Sequence, residues 1–155
     1  MVDLLPVLAY RYPVAGENRT APLSIRPIRG RRELREFIEF PWIVYRGDPH
    51  WVPPLLTDRR RDLDPRRGEF FLRGGAAGLF AAWRGGNIAG TVCAAEDCIA
   101  NRRAAERGEE TKQCIFGFFD YLDDPEIPEA LIHLDGLRKP SDWLSESSSV
   151  GFMIA

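Results

Sequence analysis

Lysine is nearly missing from this chain: 19 of its 21 basic residues are arginine, a bias that a GC-rich genome alone would give. Histidine occurs twice, as His50 and His133, and neither has a second ligand at metal spacing, so no metal site is expected. The three cysteines, Cys93, Cys98 and Cys114, form no CxxC pair and leave one thiol odd. That usage fits a reducing, cytoplasmic setting better than a disulfide framework. No histidine can be placed beside Cys98, so nucleophilic thiol chemistry has no support. The serines at 145–149 lie in no G-x-S-x-G elbow. No apolar run is long enough to cross a bilayer. The opening MVDLLPVLAYRYP has neither a basic leader nor a small-residue cleavage site, so it does not read as a signal peptide.

Charge of one sign is scarce as well. The net charge is −2 and the pI is near 5.7, so no global field recruits nucleic acid or an anionic membrane. The average hides an asymmetry: residues 1–75 carry 14 basic against 10 acidic residues, and residues 76–155 carry 7 against 13. The run Arg59-Arg60-Arg61 with Arg66-Arg67 could grip phosphates, but Asp58, Asp62 and Asp64 interleave it, which favours a solvated charged face. Neither nucleic acid nor a membrane is therefore expected as a partner; a second copy of the chain remains open.

What is present is an ordinary globular composition, 45% apolar and 28% charged over 155 residues, which fits one domain with a real core. Residues 1–22 read as a leader, 23–139 as the domain, and 140–155 as a serine-rich tail. LSIRPIRG (23–30) alternates as a first strand, with Leu23 and Ile25 inward, Ile28 a third candidate, and Pro27 at an edge or end. RRELREFIEF then places Leu34, Phe37 and Ile38 at helical spacing until Phe40-Pro41 stops the helix. Residues 47–71 hold four prolines and read as an irregular segment anchored by aromatics, with a short helix near 57–63. AAGLFAAWR and NIAGTVCAAE, joined by Gly85-Gly86, read as a β-hairpin. Polar residues 97–112 read as helix plus loop. QCIFGFFDY (113–121) reads as a buried strand, with Cys93 and Cys114 as small core residues. A last helix follows, with Asp124 as N-cap, Pro125 in its first position, and Ile127, Leu131 and Leu134 on its apolar face. The order strand, helix, irregular segment, hairpin, strand, helix predicts an α+β fold with one sheet, mostly antiparallel and flanked by helices.

Within that order, particular residues resemble the GNAT acetyltransferase superfamily, and more narrowly a bacterial branch of large GNAT-like proteins. They are Phe40-Pro41-Trp42, Tyr45, Asp48-Pro49-His50-Trp51-Val52-Pro53-Pro54-Leu55, Leu63-Asp64-Pro65 and Phe70-Phe71, followed by the hairpin and FGFFDYLDDPE. The resemblance covers about residues 23–131. It implies an incomplete GNAT-like fold and an N-acyltransferase that moves an acyl group from acetyl-coenzyme A, or another acyl-coenzyme A, to a small-molecule or protein amine. It also implies that the backbone of Phe118, Phe119 and Asp120 holds the thioester carbonyl. Asp120, at the end of the fourth strand, is the one catalytic candidate: its carboxylate can take a proton from an amine, directly or through water. The rival reading makes Asp120 a junction acid that only caps amides.

The same stretch argues against a phosphate seat. Between Phe119 and Ile127 there is no glycine and no arginine, while Asp120, Asp123, Asp124 and Glu126 crowd the turn. Such acids satisfy the helix dipole internally and repel a phosphate. From about His133 the family-like pattern is lost, which suggests a truncated or frameshifted product. The alternative function is thus a non-catalytic remnant that pairs with a partner through an exposed strand edge. Trp42, Tyr45 and Trp51 are read as loop anchors in preference to cleft walls.

Overall fold

Two apolar runs joined by Gly85-Gly86 form the middle of the molecule. Both glycines hold positive φ, 58° and 83°, as a two-residue hairpin turn requires. They connect β2 (Ala76–Arg84) to β3 (Asn87–Glu96). The computed structural model describes residues 20–109 and 114–133; nearly all of the leader, the end of the last expected helix with Leu134, and the serine-rich tail lie outside them. β1 (Leu23–Pro27) pairs with β2, and β4 (Cys114–Tyr121) pairs with β3. The four-stranded sheet runs in the order β1-β2-β3-β4, antiparallel throughout. With helices on its faces, the fold is α+β as expected.

Side chains alternate across a strand, so each face collects its own core. Leu79, Ala81 and Trp83 point toward Ile28, Phe37, Phe40 and Leu63. Phe80 and Ala82 point the other way, toward Val92, Ile127 and Leu131. Both faces of the central strands are covered, which is why β2 and β3 read as nearly unbroken apolar runs. The first face is covered by α1 (Gly30–Glu39), with Phe37 and Ile38 buried as their spacing predicts. Glu33 fixes the helix start: it accepts the Arg29 amide at 2.6 Å and pairs with Arg26 of β1 at 2.8 Å. Pro41 ends α1 and opens the single turn α2 (Pro41–Val44). The proline-rich segment adds α3 (Leu56–Asp62), near the expected place, and α4 (Glu69–Leu72). After β3 comes α5 (Cys98–Glu106), whose N-cap Asp97 accepts the amides of Ile99 and Ala100 at 3.0 Å each.

The second face is covered by α6 (Glu126–Ile132), through Ile127 and Leu131. It packs tightly on β3 at Gly90. A Cβ there would lie 2.5 Å from Ile127 Cγ2 and 2.9 Å from Leu131 Cδ1. α6 starts one residue later than expected, with Pro125 at the N-cap position, but Asp124 still accepts the Glu126 amide at 3.1 Å.

β4 corrects one expectation. It is an edge strand, because β3 is its only neighbour among the described residues. Phe116 is 70% and Ile115 53% exposed, and Cys114 is exposed while Cys93 is buried. The apolar run FGFF resembled a central strand, but α6 sits over the middle of the sheet and leaves the start of β4 open.

Candidate functional site

The pairing of β3 with β4 slips by one residue. Thr91 faces Asp120 and Cys93 faces Gly117, so Val92 alone lies opposite Phe118 and Phe119. Phe118 carries the extra residue's geometry, with φ of 50°, a left-handed conformation uncommon outside glycine. Buried Thr91 secures it, its hydroxyl donating to the Phe118 carbonyl at 3.0 Å. The Phe118 ring turns toward α1 and packs on Phe37, ring centres 6.1 Å apart. The Arg59 guanidinium of α3 lies 4.5 Å from its ring centre.

The bulge decides where Asp120 points. In an unbroken strand, residue 120 would share a face with Phe116. Phe116, Phe119 and Tyr121 instead form one ladder of rings, with centres 5.8 Å and 5.4 Å apart in succession. Asp120 is thereby turned to the opposite face, the one that carries α2. There the Tyr45 hydroxyl donates to Asp120 Oδ1 at 2.9 Å. This hydrogen bond, then partial burial and the negative charge of Asp120, raise the Tyr45 pKa above the ordinary phenol value.

Tyr45 belongs to an aromatic group. Its ring stacks on Trp51 at 5.2 Å, and Trp42 meets Trp51 edge-on at 5.3 Å. All three are half-buried, whereas the core rings Phe37 and Phe40 are 2% and 0% exposed. The stacking fits the expected anchoring role, yet the rings keep surface open beside a carboxylate. The structure thus joins Tyr45 and Trp51, read apart in the sequence, to Asp120. It does not bear out Asp120 as an amide cap: among the described residues the phenol is its one hydrogen-bond partner and it forms no ion pair.

The acidic junction divides in two. Buried Arg84, at the end of β2, pairs with Asp124 at 3.4 Å and Glu126 at 2.5 Å. These carboxylates hold α6 against the sheet, a role hidden in the sequence because Arg84 lies 42 positions before Glu126. The arginine clusters are spread over neighbours: Arg60 on Glu39, Arg61 on Asp58, and Arg67 on Asp64. No group of three or more His, Cys, Asp or Glu gathers among the described residues, around His50 and His133 or elsewhere. None of the described helices is long and apolar enough to cross a membrane.

No family model matches the chain, and no solved structure matches it significantly. Two curated proteins do. The bacterial ceramide synthase of Caulobacter vibrioides is 30% identical over 128 residues, covering 83% of this chain and 31% of its own length. Protein YghO of Escherichia coli is 31% identical over 110 residues, covering 69% of this chain and 26% of its own length. The chain therefore spans about a third or less of the curated relatives it matches. These relatives overturn the family expected from the sequence. They carry the names of a ceramide synthase and of YghO, not of a GNAT acetyltransferase, and no family model supports that superfamily. The GNAT-like N-acyltransferase function implied by it falls with it, and the alternative of an edge-pairing remnant gains no clear support.

Proposed function

We propose that this chain is a portion of a ceramide-synthase-like protein, one that joins a long acyl chain to the nitrogen of a long-chain amine. The observation that carries the reading is the likeness to the Caulobacter protein over 128 residues. In a chain of 155, such a stretch leaves 27 residues outside it. Wherever it begins, it takes in positions 28–128 and so both Tyr45 and Asp120.

The site geometry supports it. An amide forms when a neutral amine nitrogen attacks the acyl carbon of a thioester: the C–N bond forms, the C–S bond breaks, and the proton shed by nitrogen passes through an acceptor within hydrogen-bond reach to the departing coenzyme A thiol. Asp120 supplies a carboxylate whose Oδ1 is held by Tyr45 and whose Oδ2 has no hydrogen bond among the described residues. The backbone of Phe118, Phe119 and Asp120 lies on a strand with one neighbour and a bulge; the reading assigns amides of this stretch to the acyl carbonyl. The proposed donor is a long-chain acyl-coenzyme A. The proposed setting is the reducing cytoplasm, in keeping with three free cysteines.

The test is direct synthesis. The full chain is incubated with a long-chain amine and a long-chain acyl-coenzyme A, and the lipid amide is measured by mass spectrometry. Amide above the protein-free background is expected, with Asp120→Asn reducing it by roughly 100-fold, the low end for loss of a general base. No amide from the unaltered chain refutes the reading, and an undiminished yield from Asp120→Asn removes Asp120 from it.

A further inference from the structure

The geometry points to the face formed by Trp42, Tyr45, Trp51 and Asp120 as a binding subsite for a primary ammonium head group. The inference rests on the ceramide-synthase-like reading for its choice of a long-chain amine as ligand, and it adds where and how that amine is held.

Three observations converge on a cation. The first is the carboxylate: Asp120 is half-buried, forms no ion pair among the described residues, and leaves Oδ2 without a hydrogen bond, in a chain with 19 arginines. The nearby guanidinium of Arg59 is stacked over the Phe118 ring. The second is the electron-rich wall. Trp51 stands between Tyr45 at 5.2 Å and Trp42 at 5.3 Å, and all three stay partly open to solvent. Indole and phenol faces attract an ammonium through the ring quadrupole, and tryptophan does so best. The third is that the bulge at Phe118 aims Asp120 at this wall, bringing the carboxylate within 2.9 Å of the Tyr45 hydroxyl. A bulge that re-aims one side chain is a device found beside functional sites.

An ammonium carries three N–H donors and no acceptor. It can donate to Asp120 Oδ2 while resting against the Trp51 ring, and its alkyl chain can run over exposed Val52 and Leu55, which are 84% and 68% exposed. A neutral alcohol of the same length gains the chain contacts but neither the charge-assisted hydrogen bond nor the cation–π attraction.

The test is isothermal titration of the full chain with decylamine and with decanol, each below its aggregation concentration, at neutral pH. Decylamine is expected to bind roughly tenfold more tightly than decanol. Asp120→Asn is expected to bring the two within about threefold, and Trp51→Leu to weaken decylamine more than decanol. Circular dichroism of each variant shows that its fold is retained. Equal affinities in the unaltered chain, or an undiminished preference in Asp120→Asn, overturns the subsite. Failure here is separable from failure of the proposed function. Amide synthesis without amine preference removes this subsite alone, and amine preference without synthesis removes the enzyme reading alone.

Discussion

Gly90→Ala tests how α6 is seated on the sheet. The new methyl would lie 2.5 Å from Ile127 Cγ2, 2.9 Å from Leu131 Cδ1 and 3.3 Å from Tyr121 Cβ, where carbon atoms prefer about 3.5–4.0 Å. The first gap is short by about 1 Å. Ile127 and Leu131 are each 1% exposed, so neither methyl has room to retreat and the helix itself must lift. Overpacking of this kind costs about 1–3 kcal/mol. Replacing glycine restricts the unfolded chain and returns about 0.4–1 kcal/mol, which leaves a net loss of about 1–2 kcal/mol. The control is Gly117→Ala on β4, where an added Cβ meets nothing within 4 Å. Urea unfolding followed by tryptophan fluorescence should place the Gly90→Ala midpoint well below that of the parent, and the Gly117→Ala midpoint at or slightly above it. Ile127→Ala, costly alone at about 2–5 kcal/mol, should cost about 1 kcal/mol less in the Gly90→Ala background because the two sites are in contact. Equal midpoints for the two glycine variants would refute the close seating of α6.

Other expectations concern titration, reactivity and the buried pair. The Tyr45 phenol should ionise later than an ordinary tyrosine, because its hydrogen bond to Asp120, then burial, raise its pKa. A raised folded-state pKa means that the contribution of this bond to stability is complete below about pH 10 and fades as pH climbs through the Tyr45 value. Carbon-13 tyrosine spectra across pH 9–12 check this, with Asp120→Asn bringing Tyr45 back toward about 10. Cys93 is buried and its pKa is pushed up to about 12, so a thiol reagent at pH 8 should label exposed Cys114 readily and Cys93 only after denaturation. Arg84→Met should destabilise the chain by about 3 kcal/mol, the low end for breaking a buried pair, since one of its acids, Glu126, is itself 63% exposed. Adding Asp124→Asn should recover part of that loss, as thermal unfolding will show.

Local patterns carried much of the fold. The 3.6-residue spacing of Leu34, Phe37 and Ile38 gave α1, Gly85-Gly86 gave the hairpin turn, and Pro41 gave the break after Phe40. Each is a property of neighbouring residues. What stayed hidden depends on distant partners. Arg84 reads as the polar end of an apolar strand, and its two acids read as a helix cap, until folding places them 3.4 Å and 2.5 Å apart. The exposure of Ile115 and Phe116 was equally hidden, because an edge strand and a central strand can share the same residues.

The candidate site shows the same division. Asp120 was legible as a carboxylate at a strand end, and Tyr45 and Trp51 as aromatics in a proline-rich segment. Their meeting depends on a single extra residue in β4, and strict alternation through FGFFDY gives the opposite answer. It would place Asp120 on the face of Phe116, turned away from Tyr45. The side chain that holds the bulge is Thr91, a buried polar residue in a strand whose other polar residues, Asn87 and Glu96, lie at its ends. A lone buried threonine at a central position was the available signal. A hydroxyl taken out of water needs a partner, and here the partner is the carbonyl of the one non-glycine residue with positive φ among those described. The position of Asp120, and with it every chemical role proposed for this chain, is set by that hydrogen bond as much as by its own identity.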